Sequence, residues 1–328
     1  MSKPDINKIL IREENYSAQM KEVVEPFLAE RGEEFFSERE EGKKLHCMRY
    51  AADAPEAVLI ISHGFTESII KFREMIYYFL QANYEVYIFE HCGHAESYRL
   101  IDDPNKVHID SYKRYIKDLL FIAHIARDAN PELPLYLFGH SMGGGIAAAA
   151  LATEPDLFSK AILTSPMIRS VRGGFPWTLT RFICWLFPKI GLGKRYAPTQ
   201  SPYSGPEKFE TSAASSKARF DHYQKIRYAD PKLQMNGATY GWLHAATQMS
   251  VFIQNKGWKK ITTPVLLFQA ENETFVLNDQ QEIFIQNLKS NGVNAELVHV
   301  KGTKHEICRS NDEVLEPYLE KIFAFFEG

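Results

Sequence analysis

The chain has 328 residues, of which 24% are charged and 45% are hydrophobic, and these ordinary values exclude disordered and fibrous proteins. The 38 basic and 41 acidic residues give a net charge of -3, which does not favour a nucleic-acid partner. Cys47, Cys92, Cys184 and Cys308 form no Cys-x-x-Cys pair, so we expect reduced thiols and neither a metal nor a cofactor.

The N-terminal part of the chain carries no pattern of a secretory signal. Residues 1–19 are polar, and the longest apolar stretch, residues 177–190, is interrupted by Arg181 and Pro188. We therefore expect a soluble cytoplasmic protein with at most a surface contact to a membrane. Residues 1–30 predict a helical arm, because apolar residues recur among Glu and Lys, but the pattern does not indicate the role of this arm.

From residue 34 onward, the chain alternates between predicted strands and helices. Two β-prone runs around Gly42, residues 34–39 and 45–50, predict an antiparallel hairpin at the edge of a sheet. Continuous apolar runs predict strands buried on both faces, with helices between them. The predicted strands are 57–62, 84–89, 135–138 and 161–165, and the predicted helices are 72–80, 110–128 and 146–152.

This alternation stops between residues 166 and 257, where aromatic residues are mixed with prolines and glycines. It resumes with a strand at 264–268, a helix at 279–288, a strand at 295–300 and a helix at 313–326. The sequence predicts a mostly parallel, doubly wound α/β sheet with a helical cap insertion. We expect an arm (1–30), a core (31–165 and 258–328) and a cap (166–257).

The stretch Leu135-Tyr-Leu-Phe-Gly-His-Ser-Met-Gly-Gly-Gly145 joins a short strand to an Ala-rich helix. Gly-x-Ser-x-Gly at such a turn is typical of a nucleophile elbow, which presents a serine hydroxyl at the end of a parallel sheet. Gly139 and Gly143 leave room for neighbouring backbone at this strained turn. The pattern therefore predicts Ser141 as a nucleophile, with a glycine-rich helix start and a capping serine as the alternative.

A serine nucleophile needs a base and a carboxylate that orients the base, and both are expected just after later strands. His305 directly follows the last predicted strand and is the predicted base, whereas His299 lies inside that strand and His94 precedes the elbow. For the acid, Glu271 and Glu273 both follow the strand at 264–268, and Asp279 is a more distant third candidate. The spacing leaves the choice between these carboxylates open.

A tetrahedral intermediate also needs N–H donors for its negatively charged oxygen. We expect one donor to be the N–H of Met142, at the start of the helix that follows the elbow. The second should be the N–H of Phe65, in the turn after the strand at 57–62, where Gly64 allows close approach of the chain. The alternative is that His63 and Gly64 form an ordinary strand-to-helix turn.

The chain resembles the branch of α/β-hydrolases that contains monoacylglycerol lipases and bacterial lysophospholipases. The similarity extends from about residue 35 to the end and is weakest in the predicted cap. Arg99-Leu-Ile-Asp-Asp-Pro104 and His108 look closest to bacterial lysophospholipases associated with the inner membrane. The motifs that resemble the family are Ile61-Ser-His-Gly-Phe65, Glu90-His-Cys-Gly-His-Ala-Glu-Ser97, Gly139-His-Ser-Met-Gly143, Gln269-Ala-Glu-Asn-Glu273 and Lys301-Gly-Thr-Lys-His305.

The resemblance implies Ser141 as nucleophile, His305 as base, and the N–H groups of Phe65 and Met142 as oxyanion donors. It also resolves the choice of the acid, since the family's carboxylate falls on Glu273. Two features depart from the family. The acid is Glu where Asp is more common, and the loop Gly93-His-Ala-Glu-Ser97 lacks a glycine that relatives usually have.

The resemblance implies a lysophospholipase that acts on a lipid ester and contacts the inner membrane surface peripherally. A monoacylglycerol lipase or a broad carboxylesterase is the alternative with the same chemistry, and a non-catalytic binding scaffold is the alternative from another class. The bulky apolar side chains of the cap are expected to bind the acyl chain. The candidates for this role are Phe175, Trp177, Phe182 and Trp185.

Overall fold

The computed structural model describes residues 4–171 and 176–328, and its centre is a mostly parallel eight-stranded sheet. Ten strands are described: β1 (Gly32–Glu40), β2 (Lys43–Tyr50), β3 (Ala57–Ser62), β4 (Tyr84–Phe89), β5 (Lys106–Val107), β6 (Leu135–His140), β7 (Lys160–Thr164), β8 (Gly237–Ala238), β9 (Val265–Asn272) and β10 (Ala295–Lys304). The sheet order is β1-β2-β4-β3-β6-β7-β9-β10. The predicted hairpin is confirmed as β1 and β2, which run antiparallel at one edge.

The central strands are buried on both faces, as their continuous apolar runs predicted. In β3, Val58 and Ile60 contribute to a core on one face of the sheet, while Leu59 and Ile61 contribute to a core on the other. Successive side chains of a strand point to opposite faces, so one strand supplies both cores. Parallel neighbours require crossover connections, and the helices in these connections cover the sheet. The prediction of a doubly wound α/β sheet is confirmed.

Helices lie on both faces of the sheet. They are α1 (Ile6–Ile9), α2 (Tyr16–Gln19), α3 (Glu25–Arg31), α4 (Arg73–Gln81), α5 (Tyr112–Ala129), α6 (Met142–Leu151), α7 (Trp177–Lys189), α8 (Lys217–Ala229), α9 (Tyr240–Asn255), α10 (Asn278–Ser290) and α11 (Asp312–Glu327). Buried residues of α5, α6 and α10 belong to one core, and those of α4 and α11 belong to the other. Several strands are longer than predicted, and the extension is largest in β9, which continues to Asn272, and in β10, which continues to Lys304.

The segment between β7 and β9 contains α7, α8 and α9 and no long strand among its described residues, as expected for a helical insertion. It is attached to the rest of the chain at several points. The short strand β8 pairs with β5 in a separate two-stranded sheet, and Thr239 Oγ1 lies 2.8 Å from Nδ1 of His108. Met249 and Ile253 of α9 are buried in the same core as α5 and α6. The buried side of α9 is therefore part of the core.

The N-terminal arm is packed into the protein along most of its described length. Short helices and one π-helical turn, Met20–Val24, place Ile6, Ile11, Val24 and Leu28 in the core that α4 and α11 share. The burial of these side chains stabilises the position of the arm. The role that the sequence left unassigned is thus structural, because the arm covers one end of that core.

The arm, the core and α8 meet at one buried guanidinium. Arg219 of α8 has a side chain with 0% exposure and lies 2.9 Å from Glu74 Oε1 and 3.2 Å from Asp312 Oδ1. It also donates to the backbone oxygens of Ile11 at 2.7 Å and Ser310 at 3.1 Å. A buried charge is tolerated only when it is paired and hydrogen-bonded in this way. Arg219 therefore fixes α8 to α4, to the N-terminus of α11 and to the arm.

Among residues 4–171 and 176–328, no helix combines the length and the apolarity that crossing a bilayer requires.

We expect Arg219→Met to lower the free energy of unfolding by about 3 kcal/mol, because the substitution leaves the carboxylate of Glu74 buried without a cation. Arg12→Met is the matched control, since Arg12 forms a partly exposed pair with Glu316 at 3.7 Å. Its cost should stay below about 1 kcal/mol. Urea unfolding monitored by tryptophan fluorescence measures both, and equal midpoints for the two variants would contradict this account.

Candidate active site

Ser141 lies at the sharp turn between β6 and α6. Its backbone has a φ of 53°, a left-handed conformation that residues other than glycine rarely adopt. The turn is held by backbone hydrogen bonds, because the N–H of Ser141 donates to Thr164 O at 3.0 Å and the N–H of Met167 donates to Ser141 O at 2.8 Å. A strained residue held firmly by its neighbours is frequent at functional sites.

The two glycines of the elbow are required by close contacts, as the motif predicted. A Cβ on Gly143 would overlap the carbonyl oxygen of Ser62, and a Cβ on Gly139 would lie 2.8 Å from the Cα of Gly144. No side chain could be accommodated at either position without movement of the backbone. The elbow is therefore packed directly against the end of β3, the strand that precedes Phe65.

Ser141, His305 and Glu273 form a continuous chain of hydrogen bonds. Ser141 Oγ lies 2.7 Å from His305 Nε2, and His305 Nδ1 lies 2.6 Å from Glu273 Oε2. The other oxygen, Oε1, accepts the N–H groups of Thr274 at 2.9 Å and Phe275 at 2.8 Å. Burial acts to raise the pKa of Glu273, but the hydrogen bond and the electrostatic interaction with His305, together with the N–H groups of Phe275 and Val276, hold the pKa below its usual value. Glu273 is therefore a carboxylate that can orient the imidazole.

The alternative residues are kept apart from this chain of hydrogen bonds. Glu271 still belongs to β9, is exposed, and accepts the N–H of Gly302 at 2.8 Å. Asp279 is in the first turn of α10 and pairs with Gln280. His299 is exposed on β10, while His94 is buried and accepts the N–H of Thr66 at 3.2 Å. The geometry thus separates Glu273 from Glu271, which the spacing alone did not.

One predicted oxyanion donor belongs to the residue after Ser141, and the other belongs to a residue that lines the same cleft as Ser141. Met142 is the first residue of α6, so its N–H is at the positive end of the helix dipole. Phe65 lines the same cleft as Ser141, and its ring packs on Trp242 at 4.4 Å between ring centroids. The turn that carries Phe65 is tight, because a Cβ on Gly64 would lie 2.7 Å from Glu67 Oε2. Both N–H groups therefore belong to rigid backbone.

Three buried histidines support the turn that carries Phe65. Nδ1 of His63 lies 2.8 Å from Gly64 O, and its Nε2 accepts the N–H of His91 at 2.9 Å. His94 similarly uses Nδ1 towards Cys92 O at 3.2 Å and Nε2 as an acceptor. Each of these two rings needs one protonated and one free nitrogen, which is the neutral form. Burial accordingly lowers the pKa of His63, His91 and His94, and also that of His140 beside Ser141.

Ser141 opens into a cleft of roughly 530 Å³, a size that fits a small ligand. One part of its wall is apolar, and another part is polar and charged. The apolar wall comprises Phe65, Met167, Trp242, Leu243, Phe275 and Val276, and the polar wall comprises Lys71, Glu207, Tyr223, Gln224, Arg227, Glu306 and Arg309. Most of the polar wall comes from α8 and from the loop after β10.

The three predicted acyl-binding aromatics that the structure describes do not line this cleft. Phe175 lies outside the described residues, and Trp177, Phe182 and Trp185 do not line the wall around Ser141. The reason is the orientation of α7, whose Cys184 is buried while Phe182 and Trp185 are 54% and 43% exposed. Phe182 and Trp185 instead line a separate groove of roughly 670 Å³ between α7, α9 and α5.

The aromatic side chains of α8 and α9 that line the cleft could not be distinguished in the sequence from the other aromatics of the insertion. Phe220 and Tyr223 lie on α8, and Trp242 lies on α9. Aromatic content predicted a bulky apolar cap, but no local pattern indicates which aromatic faces Ser141. Among the described residues, no group of three or more His, Cys, Asp or Glu side chains is arranged to hold a metal ion.

We expect the free energy of unfolding to fall as the pH decreases below about 6.5. The pKa values of His63, His91, His94 and His140 are lower in the folded than in the unfolded chain, so the unfolded state binds more protons there. Each such histidine contributes at most about 1.4 kcal/mol per pH unit. Denaturant unfolding between about pH 7.5 and about pH 5.5 measures how steeply the free energy of unfolding changes with pH. His46 opposes the trend, since Glu90 and Glu34 overcome burial and raise its pKa.

His94→Gln is the matched variant for this prediction. A glutamine amide oxygen can still accept the N–H of Thr66, but it does not titrate. Below about pH 6.5, the free energy of unfolding of this variant should therefore change less steeply with pH, by an amount that corresponds to at most about one proton. An unchanged slope would show that His94 does not contribute to the acid sensitivity.

The family model, the relatives and the solved structures that resemble this chain agree with the geometry of the site. A family model described as serine aminopeptidase, S33 (Hydrolase_4) matches residues 53–312. The chain is 27% identical to a probable lysophospholipase L2 of Haemophilus influenzae over 83% of this chain and 84% of that protein. It is 23% identical to the monoglyceride lipase of Rattus norvegicus over 86% of each chain. A thermostable carboxyl esterase from Bacillus coagulans superposes with a TM-score of 0.74 at 19% identity, covering 91% of this chain and 98% of that one.

Proposed function

The chain belongs to the serine aminopeptidase S33 family (Hydrolase_4), and from this premise we propose that it is a lysophospholipase, a serine hydrolase that cleaves the carboxylic ester of a single-chain lipid. The observation that carries the proposal is the hydrogen-bonded chain from Glu273 through His305 to Ser141 at the floor of one cleft. Such a chain lets a neutral imidazole remove the serine proton while a carboxylate stabilises the resulting imidazolium.

In the proposed reaction, Ser141 Oγ attacks the acyl carbon and transfers its proton to His305 Nε2. The N–H groups of Phe65 and Met142 bind the oxygen that becomes negative. His305 then donates the proton to the leaving alcohol, which departs and leaves an acyl-enzyme. Water repeats the sequence at the acyl carbon, with His305 as the base, and releases the fatty acid.

The form of the cleft supports a lipid ester with one acyl chain. The leaving alcohol must lie beside His305, where charged and apolar lining residues both occur, because Glu306 follows His305 directly and the ring centroid of Phe275 lies 5.0 Å from that of His305. The acyl chain then fits along the apolar wall, which includes Trp242. The lysophospholipase relative favours a phosphate-bearing alcohol, and the monoglyceride lipase relative supports glycerol as the alternative.

The family name also suggests an aminopeptidase, which would need a free carboxylate for the substrate ammonium. The carboxylates that line the described part of the cleft are each paired with a cation. Glu67 pairs with Lys71, Glu207 with Arg227, and Glu306 with both Lys71 and Arg309. These pairs leave no free anionic subsite among the described lining residues, so we favour ester hydrolysis. The intact chain of hydrogen bonds also argues against a non-catalytic scaffold.

We further propose that residues 166–257 act as the cap and that the protein contacts the cytoplasmic face of the inner membrane peripherally. The exposed side of α7 supports this proposal. Leu179, Phe182 and Trp185 are exposed there, and Nζ of Lys189 lies 4.2 Å from the ring centroid of Trp185. Exposed apolar side chains beside a cation are suited to the surface of an anionic membrane.

We expect the protein to hydrolyse palmitoyl lysophosphatidylcholine and lysophosphatidylethanolamine at least as fast as monopalmitoylglycerol, and all three faster than p-nitrophenyl acetate. Ser141→Ala should abolish both this hydrolysis and labelling by a fluorophosphonate probe, because no other hydroxyl among the described residues is bonded to His305. Free fatty acid release and probe fluorescence measure the two effects. Turnover of short esters alone would refute the lipid substrate, and labelling of Ser141→Ala would refute the nucleophile.

Glu273→Gln should lower kcat by about 10³-fold or more, because an amide cannot stabilise the imidazolium and can favour the wrong tautomer. Glu271→Gln is the matched control, since it changes the same group two residues away in an exposed position. Its kcat should stay within about twofold of the parent. Steady-state hydrolysis of p-nitrophenyl butyrate gives kcat for both variants. A larger loss of kcat in Glu271→Gln than in Glu273→Gln would assign the acid to Glu271.

A further inference from the structure

Two loops carry the groups that we assign to the reaction on opposite sides of Ser141. The loop after β3 presents the N–H of Phe65, and the loop after β10 presents His305. A single side chain joins them, because Lys71 Nζ lies 2.8 Å from Glu67 Oε1 and 2.6 Å from Glu306 Oε1. We call Glu67, Lys71 and Glu306 the loop clamp.

The two members of the loop clamp that carry carboxylates are linked to their loops in different ways. Glu67 Oε2 accepts the N–H of Gly64, the residue before Phe65. Glu306 directly follows His305, and its backbone N–H donates to Ala213 O at 2.9 Å. The Oε1 atoms of both carboxylates are directed at Lys71. A displacement of either carboxylate therefore moves the backbone next to a reacting group.

The loop clamp is almost completely removed from water, so its charges interact strongly. The exposed fractions of the side chains are 10% for Lys71, 5% for Glu67 and 10% for Glu306. Burial opposes ionisation, but Lys71 holds the pKa of both carboxylates below their usual values. A second cation, Arg309, donates from Nη1 to the other oxygen of Glu306 at 2.8 Å. Glu67 receives no such additional cation from Arg309.

We propose that Lys71 is a positioning residue that holds the Phe65 N–H and His305 at a fixed separation across Ser141. This inference rests on the proposed function, because it assigns Lys71 a role in the same reaction. The ammonium group of Lys71 is bonded to a carboxylate from each loop and so keeps the two loops together. Without this cation, the carboxylates of Glu67 and Glu306 would face and repel each other. Misplacement of an oxyanion donor or of the base by about 1 Å lowers kcat by about 10²-fold.

Removal of the charge also predicts a pH dependence that the parent lacks. In Lys71→Met the facing carboxylates of Glu67 and Glu306 raise the pKa of one of them. At low pH they share a proton and stay close, and at high pH both ionise and separate. The other titratable or charged groups that interact with the loop clamp among the described residues include His63, His140, Tyr223, Cys308 and Arg309.

Burial favours the neutral form of the uncharged groups in this set. It lowers the pKa of His63 and of His140. Burial raises the pKa of Tyr223 and of Cys308, so both are neutral as well. Arg309 remains a cation. We therefore attribute the pH dependence of the ratio of variant kcat to parent kcat to the carboxylates of Glu67 and Glu306.

The experiment compares the full-length parent with Lys71→Met, Lys71→Arg and Lys321→Met, using p-nitrophenyl butyrate. For Lys71→Met we expect kcat to fall by about 10- to 100-fold with KM within about threefold. Its kcat relative to the parent should fall further as the pH rises from about 6 to about 9. Lys71→Arg should recover most of the loss, since guanidinium can bond both carboxylates. Lys321→Met is the matched control, because Lys321 forms a partly exposed pair with Glu296 at 2.8 Å, and it should keep the parent kcat.

An unchanged kcat in Lys71→Met, or a loss carried by KM alone, would overturn the proposal. So would a loss that is the same for Met and Arg and independent of pH. If Lys71→Met does not fold, Lys71→Arg and Glu67→Gln carry the test, and Glu67→Gln should lower kcat by about tenfold because Lys71 then holds only one loop. Fluorophosphonate labelling of the parent and of Ser141→Ala tests the proposed function separately, since those results do not depend on Lys71.

Discussion

The hydrogen bond between Ser141 Oγ and His305 Nε2 joins residues that are 164 positions apart. It can form only where the carboxyl ends of parallel strands meet at one edge of a sheet, since β6 delivers the serine and β10 delivers the histidine. The remaining strands supply what this bond requires. β9 delivers Glu273, and β3 ends in the turn that carries Phe65. The order of the strands is therefore the constraint on which the whole site depends.

Buried ions fix the arrangement of segments whose positions the sheet does not determine. Arg219 attaches α8 to Glu74 and Asp312, and Lys71 joins the loops that flank the serine. A buried ion pair is rarely a large net source of stability, because desolvation offsets its attraction. Removing one partner is nevertheless costly, so such pairs specify a single arrangement. In this serine hydrolase the buried ions lie where one arrangement of loops and of the cleft wall is needed.

The described part of the insertion divides into two regions with different surroundings. α8 and α9 pack on the core and contribute Tyr223 and Trp242 to the cleft, whereas α7 packs on α9 and keeps Phe182 and Trp185 exposed. The first arrangement defines the shape of the substrate site. The second leaves an apolar surface beside Lys189, and this is the surface that we propose for the membrane contact.

Local pattern determined the strands, the elbow with Ser141, the turn with Phe65 and the position of His305, because each depends on periodicity or on residues adjacent in the chain. Spacing alone left Glu271 and Glu273 open, and only the family resemblance pointed to Glu273. The structure separates the two because β9 continues to Asn272 and leaves Glu271 exposed. The partner of Lys71 and the aromatics that face the cleft likewise depended on packing between distant segments. Sequence spacing specifies which element a side chain belongs to, whereas only tertiary packing decides which other side chain it meets.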